Sequence, residues 1–104
     1  MLAVMAWTDL PSLHGDLVVL DPLRADDAAA LFAAADDDEV FRWLTRTRPR
    51  TQDQMAGWVA DALASPTQHP WVQRDAATGD VVGTTSFYDV DERLRTVAIG
   101  HTWL

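Results

Sequence analysis

The stretch "HPWVQRDAATGDVVGTTSFYDVDERLRTVAIGHTWL", residues 69–104, decides the fold because its pattern is that of strands almost throughout. Apolar and β-branched runs occupy residues 71–74, 81–90 and 94–104. A turn around Gly79 separates the first two runs, and a loop at residues 91–93 separates the last two. Connections this short join antiparallel neighbours, so the stretch predicts a three-stranded meander.

Helical patterns lie upstream of the meander. Apolar side chains in residues 25–36 recur at the spacing of one helix face, which predicts an amphipathic helix. Its core-facing positions are Ala28, Leu31, Phe32 and Ala35. Thr51, with Gln54 three residues later, matches a capping box and predicts a further helix that ends at Ser65. A shorter helical piece is predicted between them, at residues 40–44.

A first strand precedes the helices. Residues 17–24, "LVVLDPLR", form a β-rich run that closes in a turn at Asp21 and Pro22. The predicted order is one strand, two to three helices and three consecutive strands, which makes the fold class α+β. At 104 residues the chain forms one domain, and we expect residues 1–12 to be an N-terminal extension of a domain at 13–104.

Composition and charge exclude several classes of function. With 16 acidic and 8 basic residues the net charge is −8, which repels a nucleic-acid backbone. There is no cysteine to form a disulfide or a thiolate metal site, and no apolar run reaches the roughly 20 residues of a membrane span. The acidic run 36–39 and the three scattered histidines lack metal-site spacing. We expect a cytoplasmic protein with no metal, nucleic-acid or membrane partner.

Three segments resemble those of a known enzyme family. They are "LHGDLVVLDPLRADDAAAL" (residues 13–31), "TGDVVGTTSFYDV" (78–90) and "RTVAIGHTWL" (95–104), in that order and at those separations. Together they resemble the N-terminal half of a GNAT superfamily acetyltransferase, and within it the ribosomal-protein N-terminal acetyltransferase branch. The resemblance implies an N-acetyltransferase that moves acetyl from acetyl-CoA to a primary amine of a small molecule or a protein N-terminus.

The last strand carries two expectations. By the resemblance it runs into a glycine-rich loop that holds the pyrophosphate of acetyl-CoA at a helix N-terminus. We expect that loop to be missing and the chain to be a truncated form, with cofactor contacts from Thr102, Trp103 and Leu104. Simple alternation predicts apolar residues on both faces: Val97, Ile99 and Trp103 on one, Ala98 and Leu104 on the other.

An unpaired edge on that strand is an association hazard. We therefore expect a homo-oligomer, or pairing with a C-terminal half, to cover it. The alternative function is a non-catalytic module that works by association through this edge.

The catalytic candidates lie on the last two strands. Ala98 takes the place of a glutamate that often serves as the family's general base, and the nearest titratable side chain on the strand is His101. Histidine exchanges protons near neutral pH, so His101 is the candidate base, and Tyr88 is the candidate acid toward the leaving thiolate. Both residue types also serve as ordinary structural residues of a half-buried sheet.

The acceptor candidates are Trp43, Phe41 and Ser86. In the resembled family, the segment that contains Trp43 and Phe41 gates the acceptor, although aromatic residues at this spacing also anchor cores. Val40, Trp43 and Leu44 are predicted to share one face. The neighbouring "RTRPR" at residues 46–50 either recognises an acidic acceptor or a cofactor phosphate, or balances the acidic run.

Overall fold

The computed structural model describes residues 10–104, in which one antiparallel sheet carries its helices on one face. The strands are β1 (Leu13–His14), β2 (Val18–Pro22), β3 (Gln68–Asp75), β4 (Val81–Asp91) and β5 (Thr96–Trp103), in that spatial order. The helices α1 (Ala28–Ala34) and α2 (Gln52–Ala64) lie between β2 and β3, with 3-10 turns at Ala25–Asp27 and Asp38–Phe41. The α+β class and the meander β3–β4–β5 are confirmed.

Two strands precede the helices, so the prediction of a single strand there is wrong. β1 pairs with Val19 and Leu20 of β2, and two residues are too few to leave an alternation in the sequence. β2 also continues through Asp21 and Pro22, where the pattern predicts a turn. Pro22 lies opposite Trp71 of β3. On its other side β2 is an open edge there, because β1 pairs only with Val19 and Leu20, and an open edge tolerates a residue without an N–H.

The predicted N-terminal extension, residues 1–12, falls mostly outside the described residues. Its last two residues contact the sheet. The Trp71 indole N–H donates to the Pro11 carbonyl at 3.0 Å, and the Ser12 hydroxyl donates to the Asp21 carboxylate at 2.7 Å. The far face of the sheet is therefore partly covered at Trp71, whose ring also meets Phe87 edge to face at 4.6 Å.

The predicted cap of α2 is present in a shifted form. The Thr51 hydroxyl accepts from the backbone N–H of Gln54 at 3.1 Å, as a capping box requires. The Gln54 side chain accepts from the backbone N–H of Arg50 at 2.7 Å, one residue earlier than a capping box has it. The helix then runs to Ala64 and is followed by the extended residue Ser65, as the sequence predicts.

A β-bulge decides which side of β5 packs on the core. Thr84 of β4 pairs with Trp103 and Ser86 pairs with Gly100, so two steps along β4 match three along β5. The extra residue is His101, whose φ of 51° lies in the left-handed region. The bulge shifts the alternation, so the Trp103 ring turns toward the helices, where it lies 5.2 Å from the ring of Phe41.

Simple alternation along β5 is therefore wrong past Gly100. Ile99 remains on the far face and is 66% exposed, whereas Trp103 joins the buried core. The rest of that core comes from the helices and from β3, with Leu31, Met55 and Val72 at its centre.

Asp27 is a buried acid that joins the start of the helical layer to the sheet. Its carboxylate accepts from the backbone N–H of Arg24 at 2.8 Å and from the Arg74 guanidinium of β3 at 3.3 Å. Arg74 also donates to Asp21 of β2 at 3.0 Å, so one guanidinium joins two acids.

We expect Asp27→Ala to lower the free energy of unfolding by about 1–3 kcal/mol, because a part-buried backbone N–H and a half-buried guanidinium each lose a partner. The matched control is Asp26→Ala, at the preceding residue. The Asp26 side chain is 77% exposed and makes one long ion pair, 3.7 Å from the Arg24 guanidinium. Its change should stay within about 0.5 kcal/mol. Urea denaturation measures both, and equal losses would show that Asp27 is not a structural acid.

We expect the free energy of unfolding to fall in acid because the Asp21 carboxylate becomes protonated. The hydrogen bond from Ser12 lowers the pKa of Asp21 below its ordinary value of 3.8, and Arg74 lowers it further against the opposing effect of burial. Since the folded-state pKa is the lower one, this stabilisation is complete above the unfolded-state value and is lost as the pH falls through the folded-state value.

We expect Asp21→Asn to flatten the loss of stability on acidification between about pH 5 and pH 2, measured by urea denaturation across that range. Ser12→Ala removes the largest cause of the lowered pKa and should give an intermediate slope. An unchanged slope in Asp21→Asn would contradict this assignment.

Candidate active site

A cavity of about 270 Å³ lies between α2, the segment at residues 44–46 and the helix-facing side of β3, β4 and β5. Its walls are mostly apolar, with large contributions from Leu31, Met55, Trp58, Val59 and Trp103. Its polar lining comes from Thr45, Arg46, Gln68, Thr84, Ser86 and His101. A few polar groups converging in an apolar concavity form the usual pattern of a small-molecule site.

Ser86 lines the cavity from β4 with its side chain almost fully buried. The Gln68 side-chain amide donates to the Ser86 hydroxyl oxygen at 3.0 Å. A hydroxyl that already accepts from one partner still has its own proton to donate. The pair therefore offers a hydrogen-bond donor within a mostly apolar cavity.

His101 reaches the cavity because of the bulge that it forms. The Thr84 hydroxyl donates to the His101 carbonyl oxygen at 2.9 Å across the strand pair, and both residues line the cavity. The imidazole remains exposed and meets the ring of Tyr88 edge to face at 5.2 Å. Tyr88 itself is not among the lining residues, so it touches the site through His101.

Gly100 lets the two rings meet. A Cβ added at Gly100 would lie 2.6 Å from a ring carbon of Tyr88, closer than real Cβ atoms come to another atom. The tyrosine ring thus covers the strand next to the bulge, and only glycine leaves room for it there.

The three predicted acceptor residues do not lie together in the structure. Ser86 lines the cavity, but Phe41 is buried in the core between Trp58 and Trp103. Trp43 is 84% exposed, with the Arg42 guanidinium 5.0 Å from its ring.

The prediction that Val40, Trp43 and Leu44 share one face is therefore wrong for Trp43. Residues 38–41 form a 3-10 turn, and the backbone N–H of Leu44 bonds to the Phe41 carbonyl three residues earlier. Three residues per turn bring Phe41 and Leu44 inward and turn Trp43 outward.

The three predicted cofactor residues also have different surroundings. The Trp103 ring belongs to the core and to the cavity wall. Thr102 shares a hydrogen bond of 2.8 Å with Thr85, and Leu104 is 63% exposed. Cofactor roles for these three residues stay predictions.

Four polar lining residues are not among the site residues that the sequence predicts: Thr45, Arg46, Gln68 and Thr84. Gln68 stands four residues before the core residue Val72 on β3, in the same alternating phase, and a polar residue in that phase was the available signal. Arg46 was grouped with Arg48 and Arg50, yet those two pair with Asp38 at 3.1 Å each.

Arg46 differs from both because it lines the cavity. Its guanidinium lies 5.1 Å from the ring of Trp58, and its nearest acid is Asp61 at 3.6 Å. Sequence alone does not show which arginine of a charged loop turns toward a cavity.

No cluster of three histidine or acidic side chains suited to a metal ion occurs among residues 10–104. Within the same residues, none of the helices combines the length and apolar character that a membrane crossing needs.

A family model described as an acetyltransferase (GNAT) domain matches residues 18–104. The chain therefore belongs to the GNAT acetyltransferase family. A search of curated proteins finds no match.

Several solved structures have the same fold as this chain. A GCN5-related N-acetyltransferase from Brucella melitensis is 27% identical, with a TM-score of 0.79 over 89% of this chain and 44% of its own. A GNAT-family protein from Chromobacterium violaceum ATCC 12472 is 25% identical, with a TM-score of 0.79 over 92% of this chain and 54% of its own. A GNAT-family acetyltransferase from Bacillus anthracis, at 14% identity and a TM-score of 0.68, shows the fold alone, over 90% of this chain and 52% of its own. The chain spans about half the length of these structures.

We expect Gly100→Ala to lower the free energy of unfolding by about 1–3 kcal/mol, because the new methyl group must displace the Tyr88 ring. The imidazole resonances of His101 should shift in the NMR spectrum as the ring contact is lost. Gly57→Ala on α2 is the matched control, since its Cβ would meet no atom within 4 Å. That change should stabilise by up to about 1 kcal/mol, as alanine favours a helix. A neutral Gly100→Ala would contradict the packing described here.

Proposed function

We propose that the protein transfers acetyl from acetyl-CoA to a primary amine bound in the 270 Å³ cavity, with His101 as general base. The observation that carries the proposal is the bulge of β5, which brings His101, a residue with an exposed side chain, into the lining of the cavity. Membership of the GNAT family supports the reaction class.

The chemistry needs a free amine, because an ammonium ion has no lone pair. His101 takes a proton from the bound ammonium group, and the amine nitrogen then attacks the thioester carbonyl carbon. A C–N bond forms and the C–S bond breaks. The nitrogen loses its second proton as the amide forms, and coenzyme A leaves as a thiolate that gains a proton. The protein contributes by holding the two reactants together and by moving these protons.

Tyr88 is the proposed acid toward the departing sulfur. It meets the His101 ring at 5.2 Å and lies on the same strand face as Ser86. The hydroxyl of Ser86 would orient the acceptor through the proton that Gln68 leaves free. Ala98 has no titratable group, so His101 replaces the glutamate that the family resemblance leads one to expect.

Acetyl-CoA is the proposed acetyl donor, contacted by residues 102–104. β5 has a strand partner on one side only among the described residues, so backbone groups on its other edge are available to a bound molecule. Oligomerisation or pairing through that edge stays a prediction. The acceptor proposal includes small amines and, by resemblance to the ribosomal-protein branch, protein N-termini.

We expect His101→Asn to slow acetyl transfer by about 10²–10⁴-fold near neutral pH, because asparagine tolerates the left-handed backbone but cannot act as the base. His69→Asn is the matched control, since His69 lies on β3 outside the cavity and should leave the rate unchanged. Release of the coenzyme A thiol in the presence of a panel of amines measures the rate.

Isothermal titration with acetyl-CoA, with the mass of the same sample in solution, accompanies that assay. Equal rates for the two histidine variants would remove His101 from the mechanism. No acetyl-CoA binding by the folded protein would overturn the proposed reaction for this chain.

A further inference from the structure

Arg46 gives the cavity a charge opposite to that of the protein. The chain has a net charge of −8, yet among the described residues that line the cavity Arg46 alone carries a permanent charge. The remaining lining is apolar or neutral apart from the histidine. A cation at an apolar cavity favours a ligand with one anionic group and an apolar body.

The guanidinium is held in place but weakly paired. The ring of Trp58, another lining residue, lies 5.1 Å from it. Its acid partner Asp61 is 3.6 Å away with a side chain that is 71% exposed, and exposed pairs of this kind contribute little. A ligand carboxylate that accepts two parallel hydrogen bonds from arginine would replace Asp61 readily.

The neighbouring arginines do not share this property. Arg48 and Arg50 both lie 3.1 Å from Asp38, and neither lines the cavity. The loop thus separates into two cations that balance the acidic run and one that faces the cavity.

The size of the cavity limits the body of the ligand. A volume of about 270 Å³ lies just under the roughly 300–1,000 Å³ typical of sites for drug-sized molecules. Its walls include Met55, Trp58 and Trp103, which suit an aliphatic or aromatic group. The space therefore fits a single apolar side chain better than a long polar one.

We propose that the acceptor is an apolar α-amino acid whose carboxylate binds Arg46 while its side chain fills the cavity. The proposal rests on the proposed function in taking the bound molecule as the amine that is acetylated. Arg46 is then the residue that distinguishes amino acids from simple amines of the same shape.

The test compares L-phenylalanine with phenethylamine, which has the same ring and amine but no carboxylate. Isothermal titration without acetyl-CoA should show phenylalanine binding about tenfold more tightly, as one charged hydrogen-bonded pair provides. Arg46→Met should abolish that preference and leave phenethylamine binding unchanged. Arg50→Met, the matched control from the same loop, should keep it.

Asp61→Asn supplies a readout that a purely structural role of Arg46 would not give. Removing the competing carboxylate frees the guanidinium, so phenylalanine should bind several-fold more tightly and phenethylamine should not. Thermal unfolding of each variant, followed by circular dichroism, confirms that the fold is intact.

The other anion at such a site would be a phosphate of coenzyme A. Loss of acetyl-CoA binding in Arg46→Met, with the amino-acid preference intact, would overturn the proposal in favour of that source. No preference for phenylalanine, no binding of either compound, or an equal loss of both in Arg46→Met would also overturn it.

The outcomes separate this inference from the proposed reaction. An Arg46-dependent preference for phenylalanine without acetyl transfer would leave the carboxylate site standing and remove the reaction. Acetylation of phenethylamine without any preference for phenylalanine would leave the reaction standing and remove the site.

Discussion

The rest of the structure depends on the extra residue in β5. With His101 in a left-handed conformation and its carbonyl bonded to Thr84, the strand shifts its alternation by one residue. One consequence is the burial of Trp103 against Phe41, which closes the core. The other is that His101, whose side chain is exposed, lines the cavity. The same backbone irregularity therefore serves both packing and the site, in line with the frequency of bulges beside active sites.

Electrostatics in this acidic chain are divided between structure and site. Arg74 joins two acids from different elements, and Arg48 and Arg50 share Asp38. Each of these three guanidinium groups forms an ion pair with an acidic side chain at 3.0–3.3 Å. Arg46 instead has an exposed acid, Asp61, at 3.6 Å and the ring of Trp58 at 5.1 Å. A single weakly paired cation beside apolar walls is a selective feature, because a surplus of negative charge elsewhere discourages anions from binding at random.

The family match establishes the class of protein, whereas the roles of the site residues are proposals. The match over residues 18–104 establishes the GNAT family, and the chain spans about half the length of the solved structures that share its fold. The acetyl donor, the acceptor and the base are proposals built on the residues of this chain. Their common ground is the helix-facing side of β3, β4 and β5, where Gln68, Ser86 and His101 converge on one cavity.

The sequence by itself determined the α+β class, the meander and the Thr51 cap of α2, because these follow from local periodicity and capping chemistry. The candidacy of His101 and Ser86 came instead from the family resemblance of the last two strands. Only the tertiary structure decided the two-residue β1, the outward Trp43, the inward Trp103 and the separation of Arg46 from its neighbours. Each of these depends on a partner distant in sequence or on a bulge, and a local pattern contains neither. A shift of one residue in a strand reverses every later side chain. The shift is defined by the pairing of β5 with β4, which the sequence of β5 alone does not contain.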